Sequence, residues 1–385
     1  MEKWEKVKYL IIRVASYILV AALASFATLM MLGRSAKLGQ LERIIESYFV
    51  GETDDEIMTD AAAAAMVASL GDRWSYYISA GMYADFQENK DNSYVGIGIM
   101  IQGREDGIGF DIVQVEPDGP ASKAGILPGD ILVEVDGTSM ENVSSDVPTN
   151  LIRGRVGTQV RLVVLRDGQR HNITAKRATM QSVVAEGQML PDSVGYVRIN
   201  NFNTNCAKQT IAIIDDLVSQ GAKSLVFDVR NNGGGYIREM NEILDYLLPA
   251  GDLFRSVDHR GNESVDKSDA DCLELPMAVL VNDRTYSSAE FFAAALREYD
   301  WAVVAGLPTT GKGYFQNTFR LADGSAINLS VGQYYTPKGV SLAEEGGLVP
   351  DVVTEVDDTT YAMIYARVLP LAEDPQLNAA LDALK

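Results

Sequence analysis

Two serines stand side by side in TYSSAEFF, Thr285 to Phe292, and a glycine-flanked lysine follows in TTGKGYFQ, Thr309 to Gln316. A third stretch, FDVRNNGGG, Phe227 to Gly235, ends an apolar run in three consecutive glycines. A serine hydroxyl is a weak nucleophile until a base takes its proton. His171 and His259, the two histidines of the chain, stand in no motif that supplies one. A lysine serves if it is neutral, and lowering its pKa from ~10.4 to near ~7 is worth ~4–5 kcal/mol, which burial can supply. If the chain is extended from Gly313 on, Lys312, Tyr314 and Gln316 share one face, and the Gln316 amide can orient the amine. The glycine turn offers successive backbone N–H groups to an anion, and the amide following the nucleophile adds another. The chemistry these residues spell is acyl transfer by a Ser–Lys pair.

Each feature also has an ordinary explanation. A serine before a helix commonly caps it, a glycine run makes a flexible turn, and a strand-edge lysine is often only solvated. Their convergence decides. The glycines, the serines and Lys312 each follow an apolar run (LVFDV, AVLVN and AVVAG), and in α/β sheets functional groups gather at the carboxyl ends of strands. Gly306 to Lys312 also reads G-x-x-x-x-G-K, close to a phosphate-binding loop. That motif needs Ser or Thr after the lysine and then a helix. Here Gly313 follows, and YFQNTFRLADGSAINLSV alternates like a hairpin. The nucleotide reading is rejected.

The elements that must position these residues are legible in the pattern. From Val194 onward apolar strands (VGYVRINNF, KSLVFDVR, MAVLVN, WAVVAG) alternate with helical patterns (AKQTIAIIDDLVSQ, YIREMNEILDYLL, SSAEFFAAALREY), which predicts an α/β layer with largely parallel strands. Tyr94 to about Met180 alternates apolar and polar residues between Gly and Pro breaks, as a small β-rich domain does. Before it, Thr53-Asp54-Asp55-Glu56 has the form of a capping box for an alanine-rich helix ending at Leu70-Gly71.

The chain has 385 residues, 47% of them apolar, and a formal charge of −20. That charge argues against nucleic acid, which needs a basic face. Val14 to Leu32 carries no charge over nineteen residues, the length of a membrane-spanning helix. Basic residues ahead of it (Lys3, Lys6, Lys8, Arg13) put the N-terminus in the cytoplasm and the rest of the chain outside. An uncleaved anchor is expected, cleavage after Ala22-Leu23-Ala24 being the alternative. Cys206 and Cys272 either pair in an oxidising compartment or stay as two buried thiols. No metal-ligand spacing of Cys and His occurs, so no zinc or other cofactor is expected.

These strings together resemble the carboxyl-terminal processing peptidases, also called tail-specific proteases, over nearly all of residues 40–357. The family's S-A-S-A-S-E stands here as TYSSAE, its T-F-G-K-G-x-x-Q as TTGKGYFQ, its D-L-R-x-N-P-G-G as DVRNNGGG, and its Y-T-P-x-G-x-S-I with G-I-x-P-D as YYTPKGVSLAEEGGLVPD. Aligning the glutamate on Glu290 implies Ser287 as nucleophile, Lys312 as general base, Gln316 as its orienting partner, and Gly234 with Ser288 as oxyanion amides. Three departures stand out: Thr285-Tyr286 replaces small residues, Ala289 replaces a serine, and Gly233 replaces a proline. Tyr286 is bulky enough to narrow the site.

SYVGIGIMI and VEPDGPASKAGILPGDILVEVDG are similar to the PDZ domain of this family. The resemblance implies strand addition of a substrate tail, with Val95, Gly96, Ile97 and Gly98 as carboxylate cradle and Arg153, in LIRGRVGT, as a substrate-side or communicating residue. The implied fold is a crotonase-like α/β catalytic domain with an inserted PDZ domain and an N-terminal transmembrane helix. The implied divisions are residues 1–13 in the cytoplasm, anchor 14–33, helical region 34–92, PDZ domain 93–180, catalytic domain 181–358 and helical tail 359–385. Expected partners are proteins with apolar C-termini, a membrane, a second copy through terminal helices, and a regulatory adaptor. The competing reading is a catalytically silent PDZ scaffold, against which the intact Ser287, Lys312 and Gln316 speak.

Overall fold

The computed structural model describes residues 4, 13–22 and 37–385. Of the expected membrane span, 14–22 is helical, while 23–33 lies outside the described residues. No helix among the described residues is long and apolar enough to cross a membrane. The chain forms two units, Met1–Tyr77 and Ile78–Lys385. In the first, the alanine-rich helix is Asp55–Ala68, and its cap is Asp54 rather than Thr53, accepting from the N–H of Ile57 at 3.0 Å. The Tyr77 hydroxyl ties back to Asp60 on that helix at 2.6 Å.

In the second unit the small β domain is closed by a stem in which Ser93–Gly96 pairs antiparallel with Ala178–Gln181. Beyond the stem an antiparallel sheet runs in the order Ile99–Gly103, Phe110–Val115, Ile131–Val135, Gln159–Arg166, Gln169–Lys176. Alternation along these strands sends Phe110, Ile112, Leu132, Val135, Val160, Leu162 and Val164 inward, where they enclose a core with Ile97 and Ile126. Ile99–Gly103 is left as an edge strand.

The second sheet, mostly parallel, has six strands in the order Ala185–Leu190, Val194–Ile199, Ser224–Asp228, Met277–Val281, Ala302–Gly306, Val352–Val353. Only the first pair is antiparallel. Parallel strands covered on both faces need near-continuous apolar sequence, and every residue of Met277–Val281 is buried. Helices Cys206–Ser219, Ile237–Leu247 and Ser288–Glu298 bury Ile214, Leu217, Ile243, Leu244, Phe291 and Phe292 against one face. On the other face lie Leu377 and Ala380 of the final helix, Pro375–Ala383, packed with Val226, Ala278 and Leu280. A separate run of antiparallel strands places Tyr314–Arg320 beside Ala326–Tyr335, and the latter beside Gly251–Asp258. Cys206 and Cys272 are both free thiols, and burial pushes that of Cys206 up to about 12.

Candidate active site

The strand Met277–Val281 ends at Asn282, and the turn that follows delivers Ser287 to the mouth of helix Ser288–Glu298. Ser287 has φ 60 and ψ −132, a conformation that costs a non-glycine residue on the order of 1–3 kcal/mol and recurs at active sites. Its side chain makes no capping bond, so the ordinary explanation of a serine at this place does not apply. Ser287 is half-buried and reachable, whereas Ser288 is 4% exposed and donates its hydroxyl to the Gly235 carbonyl at 3.1 Å. The two serines are thereby distinguished.

The turn is held by buried polar side chains. The Thr285 hydroxyl donates to Val229 O at 2.9 Å and accepts the Asn282 N–H at 3.0 Å. Asn282 exchanges bonds with Asn231, giving from Nδ2 to Asn231 Oδ1 at 2.9 Å and accepting the Asn231 N–H at 2.9 Å. Asn232 O accepts the Tyr286 N–H at 3.2 Å. Every one of these bonds runs between the glycine-turn segment and the turn carrying Ser287 or lies within the latter, so the two cannot move independently without exposing buried donors.

Gly234 is where the two turns touch. Its φ is +85, and a Cβ there would lie 2.7 Å from Ser287 Cβ and 2.9 Å from Ser288 N, so only glycine fits. Its own N–H, expected to face an oxyanion, instead donates to Asn232 Oδ1 at 2.8 Å. An Asn side chain readily bonds the backbone two residues on, which is why this amide is engaged here. Gly233 faces Tyr286: a Cβ at position 233 would lie 2.5 Å from the Tyr286 hydroxyl. The Tyr286 ring thus fills the space that a side chain at position 233 would need.

Lys312 is 8% exposed, and its Nζ lies 5.9 Å from the centre of the Tyr286 ring. The turn carrying it is fixed from helix Ser288–Glu298. The Glu290 carboxylate accepts the N–H of Gly311 at 2.7 Å, the N–H of Lys312 at 3.0 Å, and the Thr309 hydroxyl. Burial pushes the Glu290 carboxyl above its ordinary value, and those same donors oppose the shift. Tyr334 closes the arrangement, donating its hydroxyl to the Lys312 carbonyl and its N–H to Gly313 O at 3.0 Å.

Gln316 departs from expectation. The strand begins only at Tyr314, and a register shift between Phe315 and Gln316 breaks the alternation that would align Lys312, Tyr314 and Gln316. The Gln316 amide donates to Tyr314 O at 2.9 Å and to Ser330 Oγ at 3.1 Å.

In the β domain, a groove of about 200 Å³ lies between the edge strand Ile99–Gly103 and helix Asp146–Ile152. Gly96, Ile97, Gly98 and Arg153 line it with Tyr94 and Ile101. Val95 is not among the lining residues; it pairs with Thr179 in the stem, where Gly96 pairs with Ala178.

Residues 193–354 match the model of peptidase family S41, and residues 95–176 match that of the PDZ domain. The carboxy-terminal processing protease CtpA of Bacillus subtilis is 32% identical over 362 residues, covering 89% of this chain and 76% of that protein. This chain belongs to the carboxy-terminal processing proteases of family S41. The chloroplastic C-terminal processing peptidase of Tetradesmus obliquus is 31% identical, covering 80% of this chain and 71% of that protein. A solved structure assigned to the S41 proteases, from Bacteroides fragilis, shares the fold with a TM-score of 0.52 at 18% identity, covering 87% of this chain and 92% of that one. The chain is thus a serine peptidase of the carboxy-terminal processing kind with a PDZ domain.

Within this S41 protease, Asn232, Asn282, Thr285, Glu290 and Tyr334 are site residues to which the motifs gave no role, Glu290 serving only to align the serines. The signal for Glu290 is available in hindsight. A carboxylate three positions into a helix otherwise lined by Phe and Ala is a buried charge, and a buried charge requires donors.

Proposed function

We propose that this protease cuts proteins near their C-termini with Ser287 as nucleophile and Lys312 as general base. The observation that carries the proposal is the contrast between the two serines. Ser287 is reachable, uncapped and held in a strained conformation against Gly234, while Ser288 is buried with its hydroxyl spent on Gly235. Ser287 Oγ attacks the scissile carbonyl carbon as its proton passes to the neutral Lys312 amine. The oxyanion is stabilised by the Ser288 N–H at the helix mouth and by the Gly234 N–H once it leaves Asn232. Collapse expels the amine product, which takes the proton from Lys312. Water then attacks the acyl ester, Lys312 again taking the proton, and the shortened substrate leaves as a carboxylate. Gln316, on the strand that follows the lysine turn, spends its amide N–H groups on Tyr314 O and Ser330 Oγ and orients the Lys312 amine only through its amide oxygen.

The PDZ groove takes the substrate tail as an added strand along Ile99–Gly103, its carboxylate at Gly96–Gly98 near Arg153. Gating is supported by a hydrogen-bonded path. Asn92, at the PDZ stem, donates to Thr204 O at 2.8 Å and to Asn201 Oδ1 at 3.0 Å, and in the same loop the Phe202 N–H donates to Gly234 O at 2.9 Å. Residues 14–33 anchor the chain in a cell membrane with the catalytic part outside, in keeping with the exposed apolar run at Tyr17, Ile18, Leu19 and Val20. A homodimer and a regulatory adaptor belong to the same reading, tested by sedimentation and co-purification of the full chain.

The test of tail capture compares a loosely folded protein bearing an apolar free C-terminus with the same protein amidated at that end. Amidation and Arg153→Glu should each raise KM. Equal cleavage of free and amidated tails by the wild type would remove the groove from substrate selection.

A further inference from the structure

Tyr334 is 3% exposed and belongs to the strand Ala326–Tyr335, outside every element that carries a proposed catalytic group. Its ring meets Phe291 of the nucleophile helix edge-on at 5.8 Å and tilts against Phe254 at 5.6 Å. Its backbone N–H donates to Gly313 O at 3.0 Å, and its hydroxyl donates to the Lys312 carbonyl. Two successive carbonyls of the lysine turn are thus gripped by one residue.

We propose that Tyr334 is a positioning residue of the acyl-transfer site, its hydroxyl and N–H holding the main chain of Lys312 and Gly313 while its ring packs on Phe291 of the helix that follows Ser287. The ring contacts alone would be satisfied by phenylalanine. A buried hydroxyl is costly unless it is hydrogen-bonded, and its partner here is the main chain of the proposed base. The donation to Lys312 O sets how far the lysine backbone stands from the helix that follows Ser287. A displacement of about 1 Å in such an arrangement costs on the order of 100-fold in turnover. This inference rests on Ser287 and Lys312 being the nucleophile and base.

The test is Tyr334→Phe in the full chain, with kcat and KM on a protein substrate, the rate of labelling by a fluorophosphonate, and the melting temperature. Phe254→Leu, which loosens packing around the same ring and leaves the hydroxyl in place, reports what a purely structural change does. For Tyr334→Phe we expect kcat and labelling rate to fall ~10–100-fold with KM nearly unchanged. For Phe254→Leu we expect a lower melting temperature with kcat near that of the wild type. If Tyr334→Phe lowers only the melting temperature, or if both variants lose kcat in proportion to lost stability, the hydroxyl has no positioning role. Ser287→Ala and Lys312→Ala run alongside: activity surviving in either removes the underlying pair, whereas their inactivity beside a fully active Tyr334→Phe removes only the positioning role.

Discussion

The carboxylate of Glu290 accepts the backbone N–H of Lys312 at 3.0 Å, so the helix that begins beside the proposed nucleophile also holds the proposed base. One turn of helix sets the spacing of the pair. Glu290→Ala would leave the Gly311 and Lys312 N–H groups and the Thr309 hydroxyl buried without an acceptor, at ~1–3 kcal/mol for each group left unpaired. The expected outcome is a loss of several kcal/mol in chemical unfolding and a fall in kcat even where the variant remains folded. An unfolding midpoint equal to that of the wild type would show that the carboxylate does not secure this turn.

A second carboxylate secures the glycine turn from behind. Asp228 is fully buried and accepts from Tyr196 Oη at 2.6 Å, Arg198 at 3.1 Å and Arg230 at 2.7 Å, while Arg230 also meets Asp374 at 2.7 Å. Burial alone would raise the Asp228 pKa, but Arg230, Arg198 and the Tyr196 hydroxyl outweigh it and hold the carboxyl far below the usual carboxylate range. A depressed folded-state pKa stabilises the protein above the unfolded value of 3.8, and that stabilisation is lost as pH falls below it. Asp228→Asn should therefore be less stable at neutral pH, by ~3–5 kcal/mol if it behaves as a broken buried pair, and should show a shallower acid limb. Unfolding free energies measured from neutral pH down through the acid transition check both. Parallel acid limbs in the two proteins would mean Asp228 is not the titrating group.

The close approach of Tyr286 to Gly233 makes a double-mutant prediction. Gly233→Pro places ring carbons where the Tyr286 hydroxyl lies, 2.5 Å from an ideal Cβ, and should lower activity by itself. Tyr286→Ala opens that space and also removes the ring 5.9 Å from Lys312 Nζ. The two changes together should be less harmful than the sum of each alone, since contacting residues couple by ~0.5–3 kcal/mol. Strict additivity in kcat/KM would deny the contact.

Most of the scaffold is legible in the sequence because its strands and helices carry strong local patterns. Met277–Val281 is an unbroken apolar run and is buried throughout, and Ser288–Glu298 follows a polar turn as a helix should. Ser287, Lys312 and the glycine turn stand out in the sequence because rare residue combinations mark them. What stays hidden depends on partners distant in sequence. Asn231, Asn232, Asn282 and Thr285 look like ordinary turn residues, yet their side chains bond to distant positions, 51 residues away between Asn282 and Asn231 and 33 between Asn232 and Ile199. The same blindness hid the bond from Gly234 to Asn232 and the bulge at Phe315 and Gln316, since neither side-chain competition for an amide nor a register shift leaves a periodic trace. Tyr334 sits among alternating residues of a strand where any aromatic would satisfy the pattern.

The central claim is that Ser287 and Lys312 carry the hydrolysis. Its most direct test is mass-resolved cleavage of a protein with an apolar C-terminus by the full chain and by Ser287→Ala, Ser288→Ala and Lys312→Ala. The account predicts fragments from the wild type and from Ser288→Ala, none from Ser287→Ala, and a loss on the order of 100–10,000-fold in Lys312→Ala, the range expected for removal of a general base. Cleavage surviving in Ser287→Ala but abolished in Ser288→Ala would contradict it and move the nucleophile to the buried serine.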